Sequence, residues 1–309
     1  DNDCDLSIDD DGSVSLLHPT NTPIDYTSSF QGSLSSPATP TISSDGELHL
    51  CNGTFYVNAV INSEIEIVPH GNVTLHGSDT GTVLRIDSSG KNITISDLDI
   101  VHGLGGTGLF YKYDSNNNII GTYNGGGAIS CLSDSTLQIN NLNITDNKAD
   151  YGGGILSIND CDLNIENSQF ENNEATINGG AIYGYSTDVS VNNATFSNNI
   201  SDTDPNSFGK GGAIHLGFNE LYPIISDISD STFNNNSSYF GSAVHIGYSE
   251  SSTFSNNTFS SNDATLGTVS IENATVSLSN ENFIENIAMY GGGYYILGSG
   301  VTASDISFD

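Results

Sequence analysis

Two aspartates, Asp97 and Asp99, are the strongest candidates for catalysis in this chain. They alternate with Leu98 and Ile100, which predicts that both carboxylates face solvent on one strand. A pair of carboxylates can flank a scissile glycosidic bond and act as acid and as base or nucleophile. An ordinary polar strand face explains the pair equally well, so it supports a carbohydrate-active enzyme only as an alternative.

The sequence offers little else for acting on a polysaccharide. A lyase needs a base to abstract a proton and cations to neutralise a uronate carboxylate. Arg85 and Lys91 are the only basic residues near each other. Polygalacturonase-type hydrolases have a Gly-His-Gly motif, and the only partial match to it here is His102-Gly103. We therefore predict no catalytic residues and a non-enzymatic protein.

Two histidines, His215 and His245, each follow an alanine by two residues in consecutive sequence repeats, and Tyr183 fills the same position one repeat earlier. Their apolar neighbours take the inward positions, so both imidazoles are expected to point outward about 5 Å apart. Such a pair could share a metal ion, but no cysteine or third histidine joins it. A solvent-facing ladder is therefore the expectation.

The N-terminus places carboxylates on alternate residues, a pattern that suits the oxygen ligands of Ca²⁺. The candidates are Asp1, Asp3, Asp5, Asp9 and Asp11. No glutamate follows at the twelfth position of an EF-hand loop, so a plain acidic terminus is the expectation and Ca²⁺ binding is the alternative. We predict no cofactor, with Ca²⁺ as that alternative.

A repeat of 25 to 32 residues must position all of these side chains. Each copy has a small-residue triplet that opens a strand and a Phe-x-x-Asn further along the chain. The triplets begin at Gly126, Gly153, Gly179, Gly211, Gly241, Gly267 and Gly292. The Phe-x-x-Asn copies are Phe170 with Asn173, Phe196 with Asn199, Phe233 with Asn236, Phe259 with Asn262 and Phe283 with Asn286, with Ile144 and Asn147 as a weaker first copy and Phe308 as a truncated last one. Self-similarity at this period indicates stacked repeats.

The residues between the motifs favour β-structure. Apolar positions alternate, as in Leu137-Gln138-Ile139, turn residues break every run, and neither a helical apolar stripe nor a leucine-rich repeat core is present. We predict an all-β solenoid of about ten coils, on the order of 50 Å long at a rise of about 4.8 Å per coil. The phenylalanines should stack from coil to coil, and the asparagines should tolerate the left-handed region and form a polar ladder.

Composition limits the partners. Five basic residues against 37 acidic ones give a net charge of −32, which repels nucleic acid and anionic membranes. No apolar run approaches 18 residues, so we expect no direct membrane insertion. The acidity fits solubility in a salty or extracellular medium, with divalent-cation binding as the alternative.

Four cysteines fall in two sequence-local pairs, Cys4 with Cys51 and Cys131 with Cys161. The second pair is 30 residues apart, close to one coil, so two disulfides and a secreted protein are expected, although three pairings are open. Asn-x-Ser/Thr glycosylation motifs also occur. Because the chain is rich in Asn, Ser and Thr, their number is close to that expected by chance. They are Asn52, Asn72, Asn92, Asn143, Asn193, Asn199, Asn235, Asn236, Asn256 and Asn273.

The chain divides into an N-terminal cap or arm, residues 1–47, and a β-helix, residues 48–309, whose repeats are clear from about 125. Insertions at 104–124, 200–210 and 217–225 interrupt it. The first is predicted to be a loop whose aromatic residues could stack on sugar rings, on a partner or back on the coil; these are Phe110, Tyr111, Tyr113 and Tyr123. Because the last copy is incomplete, we expect that coils continue in a longer protein or that another subunit covers this end.

The pairing of Gly-Gly-Ala-Ile with Phe-x-x-Asn over residues 125–309 resembles the repeats of chlamydial polymorphic membrane proteins, a family of surface-exposed autotransporter adhesins. The resemblance implies a right-handed, single-stranded parallel β-helix passenger, secretion and adhesion. No catalytic residues carry over, because the family's motifs are structural.

The expected function is therefore that of an extracellular, cell-surface adhesin or stalk. Its partners would be surface glycans, receptors or other protein subunits. A subunit of an extracellular filament or sheath, joined end to end, is the alternative from the structural class. A carbohydrate-active enzyme is the second alternative.

Overall fold

The computed structural model describes residues 12–18, 22–113, 119–204, 208–217 and 224–309. These residues form 37 strands and a single turn of 3-10 helix, Thr27–Ser29. Strands one repeat apart pair in parallel and in register, as when Ile129 lies beside Ile155 and Leu137 beside Leu163. The chain is thus an all-β solenoid with the stacked parallel strands of a β-helix, which confirms the predicted fold class.

Each regular coil has four faces, which we name A to D. In one coil these are the strands Ser135–Asn140, Asn143–Thr145, Lys148–Tyr151 and Ile155–Ile158, in that order. A residue with positive φ marks each change of direction. The corner residues of this coil are Asn141, Asp146, Gly152 and Asn159. Short polar residues and glycine occupy these corners because they reach the left-handed region at low cost.

Faces A and B share one 20-stranded sheet with the N-terminal cap. The two longest strands, Gly46–Tyr56 and Ile65–His76, run through both faces. Face A continues with Lys91–Ser96, Ser135–Asn140, Cys161–Glu166, Val189–Asn192, Ile224–Ser229, Ser249–Ser255, Thr275–Ser279 and Gly300–Ser304. Face B continues with Asp99–Val101, Asn143–Thr145, Gln169–Glu171, Thr195–Ser197, Thr232–Asn234, Thr258–Ser260, Asn282–Ile284 and Ser307–Phe308.

Face D is a separate sheet of ten strands, in agreement with the predicted number of coils. Its strands are Thr41–Ile42, Ala59–Ile61, Leu84–Ile86, Ile129–Cys131, Ile155–Ile158, Ile182–Tyr185, Ile214–Leu216, Val244–Gly247, Val269–Glu272 and Tyr294–Leu297. Face C has two smaller sheets. They contain Gly106–Tyr113, Ile119–Gly125, Lys148–Tyr151, Glu174–Asn178, Ser237–Phe240, Asp263–Leu266 and Ile287–Tyr290.

The N-terminal segment lies over the first coil. Its strand Val14–Leu17 pairs antiparallel with Gly46–Tyr56 and with a short strand, Ile24–Asp25. Val14, Leu16 and Phe30 are buried against the first coil. Parallel pairing already begins at Thr41–Ile42, so the solenoid starts a few residues before residue 48.

The insertion at 104–124 contains a β-hairpin where the sequence analysis expected a loop. Gly106–Tyr113 pairs antiparallel with Ile119–Gly125, whose last residue then pairs in parallel with Tyr151 of face C. The hairpin therefore joins the sheet of face C through its second strand. The aromatic side chains assigned to this insertion lie outside the described side chains.

The motif phenylalanines form a stack inside the solenoid, which we call the phenylalanine ladder. Centroid distances are 4.8 Å for Phe170–Phe196 and Phe196–Phe233, 5.0 Å for Phe233–Phe259, 4.7 Å for Phe259–Phe283 and 5.2 Å for Phe283–Phe308. Upstream the same column continues through Ile144, Ile100 and Leu75 to Phe55. In-register parallel pairing makes this stack, because it places equivalent residues directly above each other.

The motif asparagines form a second internal column, the asparagine ladder. Each Nδ2 donates to Oδ1 of the next asparagine along the stack. The distances are 3.0 Å for Asn147–Asn173, Asn173–Asn199, Asn199–Asn236 and Asn236–Asn262 and 2.9 Å for Asn262–Asn286. Asn199 shows the remaining bonds: its Nδ2 also donates to the Phe170 carbonyl, and its Oδ1 also accepts from the Asn173 backbone N–H. The ladder is therefore buried without unsatisfied amide atoms, as buried polar groups require.

The left-handed conformation falls one residue earlier than the sequence analysis placed it. Asn172 and Asn198, each preceding a ladder asparagine, have φ of 55°. The ladder asparagine itself points inward, because the turn before it rotates the chain from face B to face C.

The triplet register also needs a correction at two places. Gly152 and Gly291 take the positive φ of the first triplet residue, so these two copies begin one residue earlier than Gly153 and Gly292.

The second glycine of a triplet is required because no side chain would fit at its position. A Cβ on Gly127 would overlap the carbonyl oxygen of Gly153 in the next coil.

Cys131 and Cys161 form a disulfide with their Cα atoms 6.1 Å apart. It links the face D strand Ile129–Cys131 to the face A strand Cys161–Glu166, and both side chains are buried. Cys51 is also buried. Its proposed partner Cys4 lies outside the described residues.

Candidate functional site

An open cleft runs along the outer surface at the corner between faces B and C. One wall is the column of corner residues Asp146, Asn172 and Asn198, all with positive φ near 55°. The other wall is the first residue column of face C. It consists of Leu104, Lys148, Glu174 and Ile200, which pair in this order in successive coils. Equivalent side chains thus recur along the cleft at the coil spacing, about 4.8 Å.

The cleft has a charged centre and apolar ends. Lys148 Nζ lies 2.8 Å from Glu174 Oε2, and this hydrogen bond raises the pKa of Lys148. Leu104 and Ile200 at the two ends are 39% and 44% exposed. Beyond Leu104, His102 Nδ1 lies 3.8 Å from Asp79 Oδ1. The volume of the cleft is about 770 Å³.

The corner between faces A and B makes a useful contrast with the cleft. Its residues also have positive φ, but their side chains bond to one another or to a neighbouring coil. The pairs are Asn141–Asp97 at 2.7 Å, Asn167–Asn140 at 2.8 Å, Asn193–Asn167 at 2.7 Å, and Asn256–Asp230 and Asn280–Asn256 at 3.1 Å. By contrast, Asn172 and Asn198 make no side-chain hydrogen bond within the described part of the chain. Their amides are therefore available to a ligand.

The structure gives Asp97 and Asp99 structural contacts. Asp97 sits at the corner with φ of 58° instead of on the strand predicted for it, and Asp99 begins the next strand. Asn141 Nδ2 donates to Asp97 and Asn143 Nδ2 donates to Asp99, each at 2.7 Å. Both carboxylates thus link their coil to the next one through hydrogen bonds.

The two basic residues noted beside them are separated into local ion pairs. Arg85 pairs with Asp87 at 2.9 Å, and Lys91 lies 3.3 Å from Asp45. Both pairs lie at the surface. The fold brings neither cation to Asp97 or Asp99 as an ion-pair partner.

The expectation that His215 and His245 face solvent is wrong. They are 2% and 1% exposed, and they stack with Tyr183 in a column that we call the outer aromatic stack. Centroid distances are 5.1 Å for Tyr183–His215 and 4.8 Å for His215–His245. The side chains do leave face D on its outer side, as predicted, but that side is covered.

Residues at the end of face C provide part of this cover. The Phe240 ring meets His245 edge-on at 6.3 Å, and Lys210 Nζ lies 5.4 Å above the same Phe240 ring. Lys210 also bonds Glu272 Oε2 at 2.7 Å, and that oxygen is 3.3 Å from His245 Nε2. Lys210, Phe240 and Glu272 lie outside the strands of His215 and His245, so alternation along one strand does not reveal this cover.

Burial controls protonation in this cluster. Desolvation lowers the pKa of His215 well below its usual value and that of His245 to about 4. The contact with His245 Nε2, 3.3 Å away, and the Lys210 ammonium lower the pKa of Glu272 to about 2. Among the described residues, Nδ1 of both histidines and Nε2 of His245 find no hydrogen-bond partner of good geometry. The stack therefore holds neutral imidazoles beside an ion pair.

The structure contains two further histidine pairs that the sequence analysis did not predict, because it looked for metal-ligand spacing within single segments. The rings of His49 and His70 stack at 5.0 Å, with Nδ1 of His49 2.7 Å from Nε2 of His70. The rings of His76 and His102 stack at 4.7 Å. The second pair is 26 residues apart, one coil, so the repeat period is the signal that could have found it.

Within the described ranges, no three His, Cys, Asp or Glu side chains converge as metal ligands. The Ca²⁺ candidates Asp1, Asp3, Asp5, Asp9 and Asp11 lie outside those ranges.

The glycosylation candidates separate by exposure. Asn199 and Asn236 are fully buried in the asparagine ladder, so they cannot accept a glycan in the folded protein. This corrects two of the predicted sites. The others are exposed: Asn52, Asn72, Asn92, Asn143, Asn193, Asn235, Asn256 and Asn273.

Residues 167–185 match the Chlamydia polymorphic membrane protein repeat. The segment contains Phe170 and Asn173 and ends with the face D strand Ile182–Tyr185, so it holds one copy of both motifs. The resemblance is thus confirmed for this repeat. Comparison with curated proteins and with solved structures gives no significant match. No helix in the described part of the chain is long and apolar enough to cross a membrane.

Proposed function

We propose that this protein is a non-enzymatic, extracellular adhesin that presents a rigid β-helix at a cell surface. The observation that carries the proposal is the open cleft, in which Asn172 and Asn198 on successive coils have no side-chain hydrogen bond to any residue that the structure describes. A ligand can replace their water at little conformational cost, because the corner geometry is already set.

The repeat match supports the surface location. The matched family is named for membrane proteins of Chlamydia, and a surface protein of that type needs a stiff, soluble body outside the membrane. The phenylalanine and asparagine ladders supply stiffness, since every coil is bonded to both neighbours. The net charge of −32 supports solubility and also disfavours nucleic acid and anionic membranes as partners.

A binding screen tests the proposal. The purified chain is labelled and offered to cultured cells, extracellular-matrix proteins and glycan arrays. We expect saturable binding to at least one of these that persists at 0.5 M salt, where exposed charges more than about 3–5 Å apart are screened. Heat-denatured protein carries the same charge and is the control. Binding that is equal for native and denatured protein, or absent throughout, contradicts an adhesive role.

A filament or sheath subunit is the second candidate, because the last coil exposes several apolar side chains. Met289, Ile287 and Phe308 are 73%, 67% and 60% exposed. Phe308 lies at the end of the phenylalanine ladder, where a ring from another coil or another subunit could stack. Electron microscopy of native material distinguishes the two roles: filaments with the coil repeat favour the subunit, and isolated rods favour the adhesin.

A further inference from the structure

We infer that the cleft binds a linear, uncharged oligosaccharide that lies parallel to the solenoid axis. The inference rests on the proposed adhesive function and names the ligand class of its site. It concerns the side chains of four successive coils, from Leu104 at one end to Ile200 at the other.

The spacing of the walls is the first argument. Corner residues Asp146, Asn172 and Asn198 recur once per coil, at about 4.8 Å. A pyranose ring in an extended chain advances by nearly the same length, so each sugar can lie beside one coil. Successive β-1,4-linked sugars are turned over relative to each other, but both edges of a pyranose carry hydroxyls, so each sugar can meet the polar side chain at its own corner. Four coils accommodate about four sugars.

The chemistry of the walls is the second argument. The Asn172 and Asn198 amides each offer a donor and an acceptor, and Asp146 offers acceptors, a combination that matches pairs of adjacent sugar hydroxyls. Leu104 and Ile200 provide apolar surface for the C–H faces of the terminal rings.

Charge decides between neutral and acidic sugars. Lys148 is the one lysine or arginine among the described residues that line the cleft, and three carboxylates, Glu174, Asp79 and Asp146, lie around it, so the lining carries a net negative charge. The net charge of the whole chain adds to their repulsion. Sulfated and uronic-acid chains are therefore disfavoured.

An extended peptide fits less well. Its side chains on one face repeat at about 6.6 Å, out of step with coils about 4.8 Å apart. Peptides that add to a sheet also need unpaired strand edges. At the cleft the face C strands Lys148–Tyr151 and Glu174–Asn178 are bonded to neighbouring strands on both sides, so no such edge is open.

The test uses cello- and chito-oligosaccharides from monomer to hexamer, titrated calorimetrically into the full chain. We expect affinity to rise up to about the tetramer and then level off, and an oligogalacturonide of equal length to bind at least tenfold more weakly. The double variant Asn172→Gly/Asn198→Gly should weaken tetramer binding at least tenfold. Glycine keeps the positive φ of both corners.

A matched control exists at the neighbouring corner. Asn167 and Asn193 are exposed, have φ of 52° and 51°, and lie at the corner between faces A and B, one short strand away from the cleft corner. Asn167→Gly/Asn193→Gly should change tetramer affinity less than twofold, although it removes two hydrogen bonds that the cleft variant keeps. Thermal unfolding of both variants verifies that the chain is folded.

Three results would overturn the inference: no neutral oligosaccharide binds, both double variants weaken binding equally, or a decapeptide selected from a phage library binds and loses affinity in the cleft variant alone.

Failure of the proposed adhesive function gives different results. If cells are bound equally by the native chain and the cleft variant, the cleft is not the site but adhesion stands. If oligosaccharides bind and cells do not, the cleft assignment stands and adhesion falls. Cleavage of any probe contradicts the non-enzymatic proposal.

Discussion

The asparagine ladder inside the solenoid and the outer aromatic stack on face D have the same construction but different energetics. Both place like side chains in register, one coil apart. Inside, each Asn amide finds donors and acceptors on the coils above and below. Outside, the imidazoles of His215 and His245 are equally buried but leave ring nitrogens unpaired. Repetition therefore stabilises polar residues only where each copy satisfies the next.

The difference has a physical cause. A primary amide carries both a donor and an acceptor, so a stack of identical amides can bond indefinitely along one axis. Neutral imidazoles stacked face to face direct their nitrogens sideways, away from the next ring. The outer aromatic stack therefore depends on its cover, and in particular on Lys210 and Glu272.

Breaking the phenylalanine ladder should have the largest effect. Phe196→Ala removes a fully buried ring with a neighbour on each side, and large-to-small changes of this kind cost about 3–5 kcal/mol. Urea unfolding monitored by circular dichroism measures the loss. Phe196→Leu, which keeps most of the apolar volume, should cost clearly less. Equal losses for the two variants would show that the stack is not held by packing.

Acidification should weaken the outer aromatic stack. The His245 pKa is about 4 in the folded chain and 6.5 in the unfolded chain, so the unfolded chain binds the proton more readily and stability falls between pH 6.5 and 4. The loss is on the order of 3 kcal/mol. Glu272 and Lys210 face the imidazole, and Glu272 remains ionised until pH approaches 2.

His245→Phe keeps an aromatic ring in the outer stack but removes the titration. The fall in unfolding free energy from pH 7 to pH 4 should shrink in this variant. Tyr183→Phe keeps a ring in the same stack and removes no group that titrates between pH 4 and 7, so it is the control and should leave the fall unchanged. If His245→Phe leaves the pH dependence of the unfolding free energy unchanged, another group causes the acid sensitivity.

Removing one amide from the asparagine ladder should cost about 2 kcal/mol, because it leaves buried donors unpaired. Asn199→Ala deprives the Asn173 N–H and Nδ2 of their acceptor and the Phe170 carbonyl of a donor. The exposed Asn193→Gly should cost less than half as much in the same urea titration. The opposite order would mean that the outer amide bonds matter more than the buried ones.

Glu281 sharpens the comparison from within the core. This buried glutamate accepts from Asn257 Nδ2 at 3.2 Å, and burial raises its pKa to about 7. The folded chain thus holds the proton more tightly than the unfolded one, so stability falls as pH rises from 4.5 to about 7. Glu281→Gln should gain about 1–2 kcal/mol between pH 5.5 and 6 and almost nothing at pH 4. A gain of equal size at both pH values would rule out titration as its cause.

Residues with a local rule were predictable. Phe196 and Phe233 carry the repeat, so their register follows from counting, and Cys131 and Cys161 lie about one coil apart. The position of the left-handed residue was less predictable. Every residue of Asn-Asn at 172–173 and 198–199 tolerates that conformation, and only the inward direction of the second asparagine decides between them.

The cleft required the three-dimensional fold. Asp146, Asn172 and Asn198 look like the corner residues Asn167 and Asn193 in the sequence, since all are polar residues before or after short strands. Their availability depends on whether the neighbouring coil supplies a hydrogen-bond partner. That depends on the angle at each corner, which no residue type specifies.

By itself, the sequence determined the period, the parallel stacking and the identity of the ladder residues, because in-register pairing converts repetition along the chain into contact across coils. Only the tertiary structure decided which outward side chains are covered, as for His245, and which remain open to a ligand, as for Asn172. The cover of His245 comes from Phe240, Lys210 and Glu272, which lie outside its strand, and the residue type at these positions changes from one repeat to the next, so the repeat does not predict it.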